Sequence, residues 1–294
     1  MKCAIVSLTE NAQERHGLGG WISGRKSNLF ELEVVHAQQP VTVCVLPYTK
    51  EELRSKKEKK QAKLFARCIR DLQSREVSCV YLTDDVLECA PIDAFRRCFQ
   101  LPSGKAVFDQ MLCEALKWCA KKAQIDLMEA EVGIWQDCFD EHGYRILENI
   151  CEELKFATLF TNSAESARVF ADKLYLQTGL SLKISKKLTG MNRCDIVILT
   201  QKFEQEIVRE DTVVIDESGA YPYRCRNTME FSLPFGFNAL MPYLDGADQR
   251  GMEFLLTACG VRLHKGTDLP SELKQIGCSL QKVLYKPHKT CLTN

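Results

Sequence analysis

Eight consecutive residues, Gln136, Asp137, Cys138, Phe139, Asp140, Glu141, His142 and Gly143, gather three carboxylates, a thiol and an imidazole. They lie between an apolar run, EVGIW at 131–135, and an amphipathic stretch at 142–154, which reads as a buried strand running into a helix. Such a turn holds a phosphate when glycines build it. The backbone must approach the ligand closely, and the first N–H groups of the helix must point at it. Here the one glycine, Gly143, comes several residues late, and Gln136, Asp137 and Cys138 put side chains where that approach occurs. Acidic groups stabilise the positive end of a helix, so the protein's own carboxylates can fill the anion position. His142 beside Glu141 offers either an acid–base group or simply a surface residue that opens the helix.

A second polar group follows the apolar run VVID at 213–216. Asp216 and Glu217 stand at a strand's carboxyl end, with Tyr221, Tyr223, Arg224 and Arg226 beyond. Ligands of open α/β sheets sit outside that edge, so these residues suit a small-molecule pocket. Equally, Asp216 can serve the backbone donors of its own loop. The glycine-rich segment 16–27, flanked by Arg15, Arg25 and Lys26, lacks the strand–turn–helix context of a phosphate loop and reads as a surface loop. If it closes over a ligand, Arg15 and Arg25 are its anion-binding groups. The basic run at 54–63 has no aromatic interleaving and reads as a solvated helix face rather than a nucleic-acid surface. The five histidines are scattered, none at a metal-binding spacing with an acid, and no G-x-S-x-G elbow occurs, so a metal site and a serine hydrolase are not expected.

Composition sets the frame for these groups. At 294 residues the chain exceeds the usual single core, so two domains are expected, divided at 127/128. Its 39 basic and 39 acidic residues cancel, which removes any global attraction to nucleic acid or an anionic membrane. The amino terminus is too short in apolar residues for a signal-peptide core, and no run approaches a membrane span, so a cytoplasmic protein is expected. Fifteen cysteines occur without a single C-x-x-C. The nearest two, Cys113 and Cys119, do not share a helix face, and most of the rest sit in apolar runs. They read as reduced, structural residues.

The elements that must position the site follow from periodicity and punctuation. Strands are expected at 2–8, within LFELEVVH and VTVCVLP, and at VSCVYLT, with a helix over 49–75 capped by Thr49. Helices at 91–99 and 105–124 are separated by Pro102 and Gly104. The second half alternates strand 131–135, helix 142–154, strand 155–161, helix 163–178, then strands 181–185, 194–200 and 212–216. Asn162 is the expected cap of the helix at 163–178, and Gly179 ends it. DIVILT and TVVID are continuous apolar runs, as in central parallel strands. Helices at 247–259 and 270–277 and a disordered tail complete the reading.

From residue 131 to about 220 this order resembles the NAD(P)-binding Rossmann domain of shikimate-dehydrogenase-like two-domain dehydrogenases. The stretches FATLFTNSAESARVFADKL, RCDIVILTQ and EDTVVIDES carry the resemblance. It implies that Asn162 and Ser163 face an adenosine ribose, that Thr200 and Gln201 edge a nicotinamide, and that Gln136, Asp137 and Cys138 replace the glycine loop. Each like-charge contact with a diphosphate at about 4 Å costs a few kcal/mol before screening, so several cancel micromolar affinity, worth about 8 kcal/mol. The expectation is two α/β domains, the second Rossmann-like with a degenerate dinucleotide site, binding a small ligand or a protein partner in the interdomain cleft. The alternative is an NAD(P)-dependent oxidoreductase with a divergent loop.

Overall fold

The computed structural model describes residues 1–9, 27–207, 209, 211–217, 226–244, 246–263 and 267–286. They fall into two compact units. One joins Met1–Val107 to Phe231–Ser279, and the other takes Phe108–Glu230 and the chain from Leu280. The sequence reading makes one cut at 127/128; the chain itself passes between units near 107, 230 and 279.

The first unit is built on a four-stranded sheet of β1 (Cys3–Leu8), β2 (Asn28–Leu32), β3 (Val41–Leu46) and β4 (Cys79–Leu82), in the order β2-β3-β1-β4. β1 runs parallel to both β3 and β4, while β2 pairs antiparallel to β3 at one edge. Buried on both faces, β1 and β4 are apolar without alternation. The crossover from β3 to β4 contains α1 (Lys50–Arg54) and α2 (Glu58–Ser74) where one helix over 49–75 was expected. Thr49 does cap α1, with Glu52 closing the capping box. The break is stabilised by Gln61, whose amide donates to the carbonyls of Leu53 and Lys56 at 2.8 and 3.1 Å and so satisfies the end of α1. α2 buries Phe65, Cys68, Ile69 and Leu72, the face read from the sequence. Two short helices follow, α3 (Asp84–Leu87), which the sequence did not announce, and α4 (Ile92–Arg96). Gly104 then adopts φ +81°, open to glycine, and its N–H donates to Glu253 Oε2 at 2.7 Å.

The second unit takes in most of α5 (Lys105–Ala123). Its sheet comprises β5 (Val132–Trp135), β6 (Phe156–Phe160), β7 (Ser181–Ser185), β8 (Ile196–Leu199) and β9 (Val213–Asp216), all parallel. The order β7-β6-β5-β8-β9 is the 3-2-1-4-5 arrangement of a Rossmann-like half-sheet. α6 (Glu141–Ile150), prolonged by a 3-10 turn at Cys151–Glu153, connects β5 to β6. α7 (Ala164–Thr178) connects β6 to β7 and ends at Gly179, φ +77°. One face of the sheet packs Trp135, Phe160, Cys194, Val197, Leu199 and Phe203 together.

Beyond β10 (Arg226–Ser232) the chain rejoins the first unit through α8 (Gln249–Ala258) and α9 (Leu269–Gln275), before β11 (Ser279–Lys286) pairs with β10. α8 is why the units differ from a single cut. Arg250 Nη2 donates to Tyr81 Oη at 3.0 Å and to Asp84 Oδ1 at 2.8 Å, and its guanidinium lies 4.6 Å above the Tyr81 ring. An amphipathic pattern announces such a helix but not the sheet it will cover. The two-stranded pairing of β10 and β11 was not read from the sequence, and the tail from 287 lies outside the described residues.

Candidate functional site

The carboxyl ends of β5, β6, β8 and β9 form one edge of the parallel sheet, flanking the point between β5 and β8 where strand order reverses. Open α/β sheets bind ligands there. Each strand delivers residues singled out from the sequence: Gln136, Asp137 and Cys138 after β5, Asn162 and Ser163 after β6, Thr200 and Gln201 after β8, and Asp216 with Glu217 at β9. Arg15, Arg25, Tyr221 and the glycines between 17 and 24 lie outside the described residues.

Asp137 is the hub of this edge. Its N–H donates to Gln201 Oε1 at 3.0 Å. Its carbonyl accepts from Thr161 Oγ1 at 2.9 Å, the Asn162 N–H at 3.1 Å and Ser163 Oγ at 3.4 Å. Its carboxylate accepts from the Asn162 amide. Asn162 is therefore not the cap of α7. Ser163 takes that position without a side-chain bond, and the Asn162 side chain goes to Asp137 instead. Thr200 Oγ1 likewise donates inward, to the Trp135 carbonyl at 2.9 Å.

Asp140 holds the amino terminus of α6. Its Oδ1 accepts from the N–H groups of His142 at 2.9 Å and Gly143 at 3.2 Å, and from Gln136 Nε2 at 2.7 Å. Burial pushes this carboxyl up, but the Gly143 N–H, the Gln136 amide and the His142 N–H outweigh it and hold the group below the ordinary carboxylate range. Gln136 is fully buried, and it fits only because Gly143 has no side chain: a Cβ there would stand 1.6 Å from Gln136 Oε1. The glycine that arrives too late for a phosphate loop thus admits a glutamine. Cys138 is exposed.

His142 does not merely open the helix at the surface. Its Nε2 lies 3.3 Å from Glu217 Oε2 and its Nδ1 3.5 Å from Asp109 Oδ2, and its side chain is only 13% exposed. Asp216 is buried, and the Glu217 N–H donates to the Leu199 carbonyl at 2.9 Å. Thr161 and Asp109 were missed by sequence reasoning. Thr161 carries no signal beyond following a strand. Asp109 sits inside a helix, far along the chain from both partners. An aspartate two residues before His142 and three before Gly143 was, by contrast, a legible cap signature.

The first unit has a cavity of its own, about 920 Å³, at the carboxyl ends of β1, β3 and β4. Ser7, Asn28, Phe30, Lys50, Thr83 and Tyr243 are among its lining residues. Ser7 is 7% exposed, and its Oγ has no hydrogen-bond partner among the described residues. Lys50 Nζ pairs with Asp85 at 2.7 Å and Glu88 at 2.9 Å. Among the described residues no helix is long and apolar enough to cross a membrane.

No family model matches the chain, and no curated protein matches it in sequence. Among solved structures it is similar to the Δ1-pyrroline-2-carboxylate reductase of Thermococcus litoralis in complex with NADH and L-proline, at 18% identity and TM-score 0.26 over 36% of each chain. The chain thus spans about a third of the length of that relative. It is also similar to shikimate 5-dehydrogenase from Listeria monocytogenes, in complex with shikimate and NAD, at 9% identity and TM-score 0.31 over 94% of this chain and 96% of that one. Ornithine carbamoyltransferase from Pyrococcus furiosus gives 10% identity and TM-score 0.33 over 90% and 85%. At these values the likenesses add nothing to what the strand order already gives.

Proposed function

We propose that this chain is a small-ligand-binding protein whose Rossmann-like unit does not take a dinucleotide in the usual pose. The observation that carries the reading is the position of Asp140 Oδ1 on the His142 and Gly143 N–H groups. Those amides are what a helix amino terminus offers a diphosphate. A diphosphate would have to displace a carboxylate already bonded to three donors and then lie beside Asp137 and Glu141. Asn162, Ser163 and Gln201, the residues implied for ribose and nicotinamide, already bond to Asp137.

The ligand site we assign is the cavity of the first unit. Its volume suits a metabolite-sized molecule, and its lining mixes hydroxyl, amide and aromatic groups. A competing reading, an NAD(P)-dependent oxidoreductase with a divergent loop, has the strand order in its favour.

A thermal-shift screen separates the two. NAD, NADP and their reduced forms leave the unfolding midpoint unchanged on the first reading, whereas small polar metabolites raise it in the wild type and less in Phe30→Ala, which alters the cavity lining. A saturable rise with any of the four dinucleotides would establish the oxidoreductase reading instead.

A further inference from the structure

We propose that Asp109, His142 and Glu217 form a binding site for one divalent transition-metal ion. The three come from separate elements of the second unit: α5, the first turn of α6, and the end of β9. One ligand atom from each lies within 4.8 Å of the others. Their side chains are 17%, 13% and 3% exposed respectively, so this is not a set of carboxylates gathered by chance in solvent.

The donor set of one imidazole nitrogen and two carboxylate oxygens is of the kind that takes Zn²⁺ or Mn²⁺. Donors about 2.1 Å from a shared tetrahedral centre stand about 3.4 Å apart. An ion takes only one ring nitrogen, so either the 3.3 Å from Nε2 to Glu217 or the 3.5 Å from Nδ1 to Asp109 is already at this spacing, and the other carboxylate, with its ligand atom within 4.8 Å, must turn toward the same nitrogen. The positive end of α6 would oppose a cation beside His142, but Asp140 already accepts the N–H groups of that end.

This site is independent of the ligand cavity, which belongs to the other unit, so either proposal can fail alone. The test is titration of the EDTA-treated full chain with Mn²⁺, followed by electron paramagnetic resonance, and with Zn²⁺, followed by calorimetry. Mn²⁺ is used because the chain's many thiols do not compete for it. The expected result for Mn²⁺ is a single site. His142→Ala should abolish binding. The isosteric Asp109→Asn and Glu217→Gln, which preserve packing if the alanine variant misfolds, should each weaken it at least about 10-fold, the scale of loss seen even for outer-shell partners. Absence of Mn²⁺ binding by the wild type would overturn the proposal, leaving an imidazole clamped between two carboxylates. So would binding that both isosteric variants leave unchanged.

Discussion

Replacing Asp140 with alanine removes one acceptor from three donors, and the size of the loss follows from what each donor then faces. Losing an N-cap side chain costs about 0.5–2 kcal/mol. The Gln136 bond is made to a charged group by a fully buried residue, and such bonds contribute about 1.5–3 kcal/mol. Asp140 is itself exposed, so screening takes the combined effect to the lower part of that sum, about 2 kcal/mol. Asp140→Asn keeps an acceptor at the helix end and loses less, about 1 kcal/mol. The pH dependence gives the sharper check. The folded carboxyl is held below its ordinary range, so its contribution is fully present above the unfolded value, about 3.9, and fades as pH falls through the folded one. Urea unfolding followed by tryptophan fluorescence should therefore show a constant gap between wild type and Asp140→Ala from pH 7 to about pH 5, closing below about pH 4. A gap that widens on acidification, or an alanine variant as stable as wild type at pH 7, would refute the assignment of Asp140 as the group holding α6.

Further outcomes test the surrounding packing. Gly143→Ala should destabilise by about 1–2 kcal/mol, because the new Cβ drives Gln136 off Asp140. Most of that cost should vanish in a Gln136→Ala background, and additive urea midpoints would contradict the close approach. Gly133→Ala places a Cβ 2.8 Å from Cys194 Sγ within the sheet and should cost about 1–3 kcal/mol, relieved by Cys194→Ala. Mass spectrometry after brief alkylation at pH 8 should find the exposed Cys98 and Cys138 modified. Cys194 and Cys278, whose thiols burial pushes up to about 12, should stay unmodified until the protein unfolds. Rapid alkylation of Cys194 in the native protein would show that the sheet face is open.

The parallel sheet was legible because its strands are short apolar runs separated by well-punctuated helices. Gly179 and the Thr49 capping box are local chemistry, and they sit where the pattern places them. The altered β5–α6 turn was legible for the same reason: a carboxylate three residues before a glycine at a helix start is itself a local signal. What the sequence hid is long-range. Nothing local says that Gln61 reaches back to split the helix over 49–75, or that Arg250 returns α8 to Tyr81. The same holds for Asp109 and Glu217, which no spacing rule links to His142 and which meet it only once α5 and β9 are in place. Asn162 is the instructive miss. Its type suits a helix cap, but a nearby carboxylate that needed a donor outcompeted the helix end.

The central claim is that Asp140 occupies the amides a diphosphate would use. The most direct measurement is the amide spectrum of ¹⁵N-labelled protein, with the His142 and Gly143 cross-peaks assigned, during titration with NAD and NADP to millimolar concentration. The account predicts that both peaks stay in place while Asp140→Gly moves them without any dinucleotide. Saturable shifts of those two amides on adding dinucleotide to the wild type would contradict it.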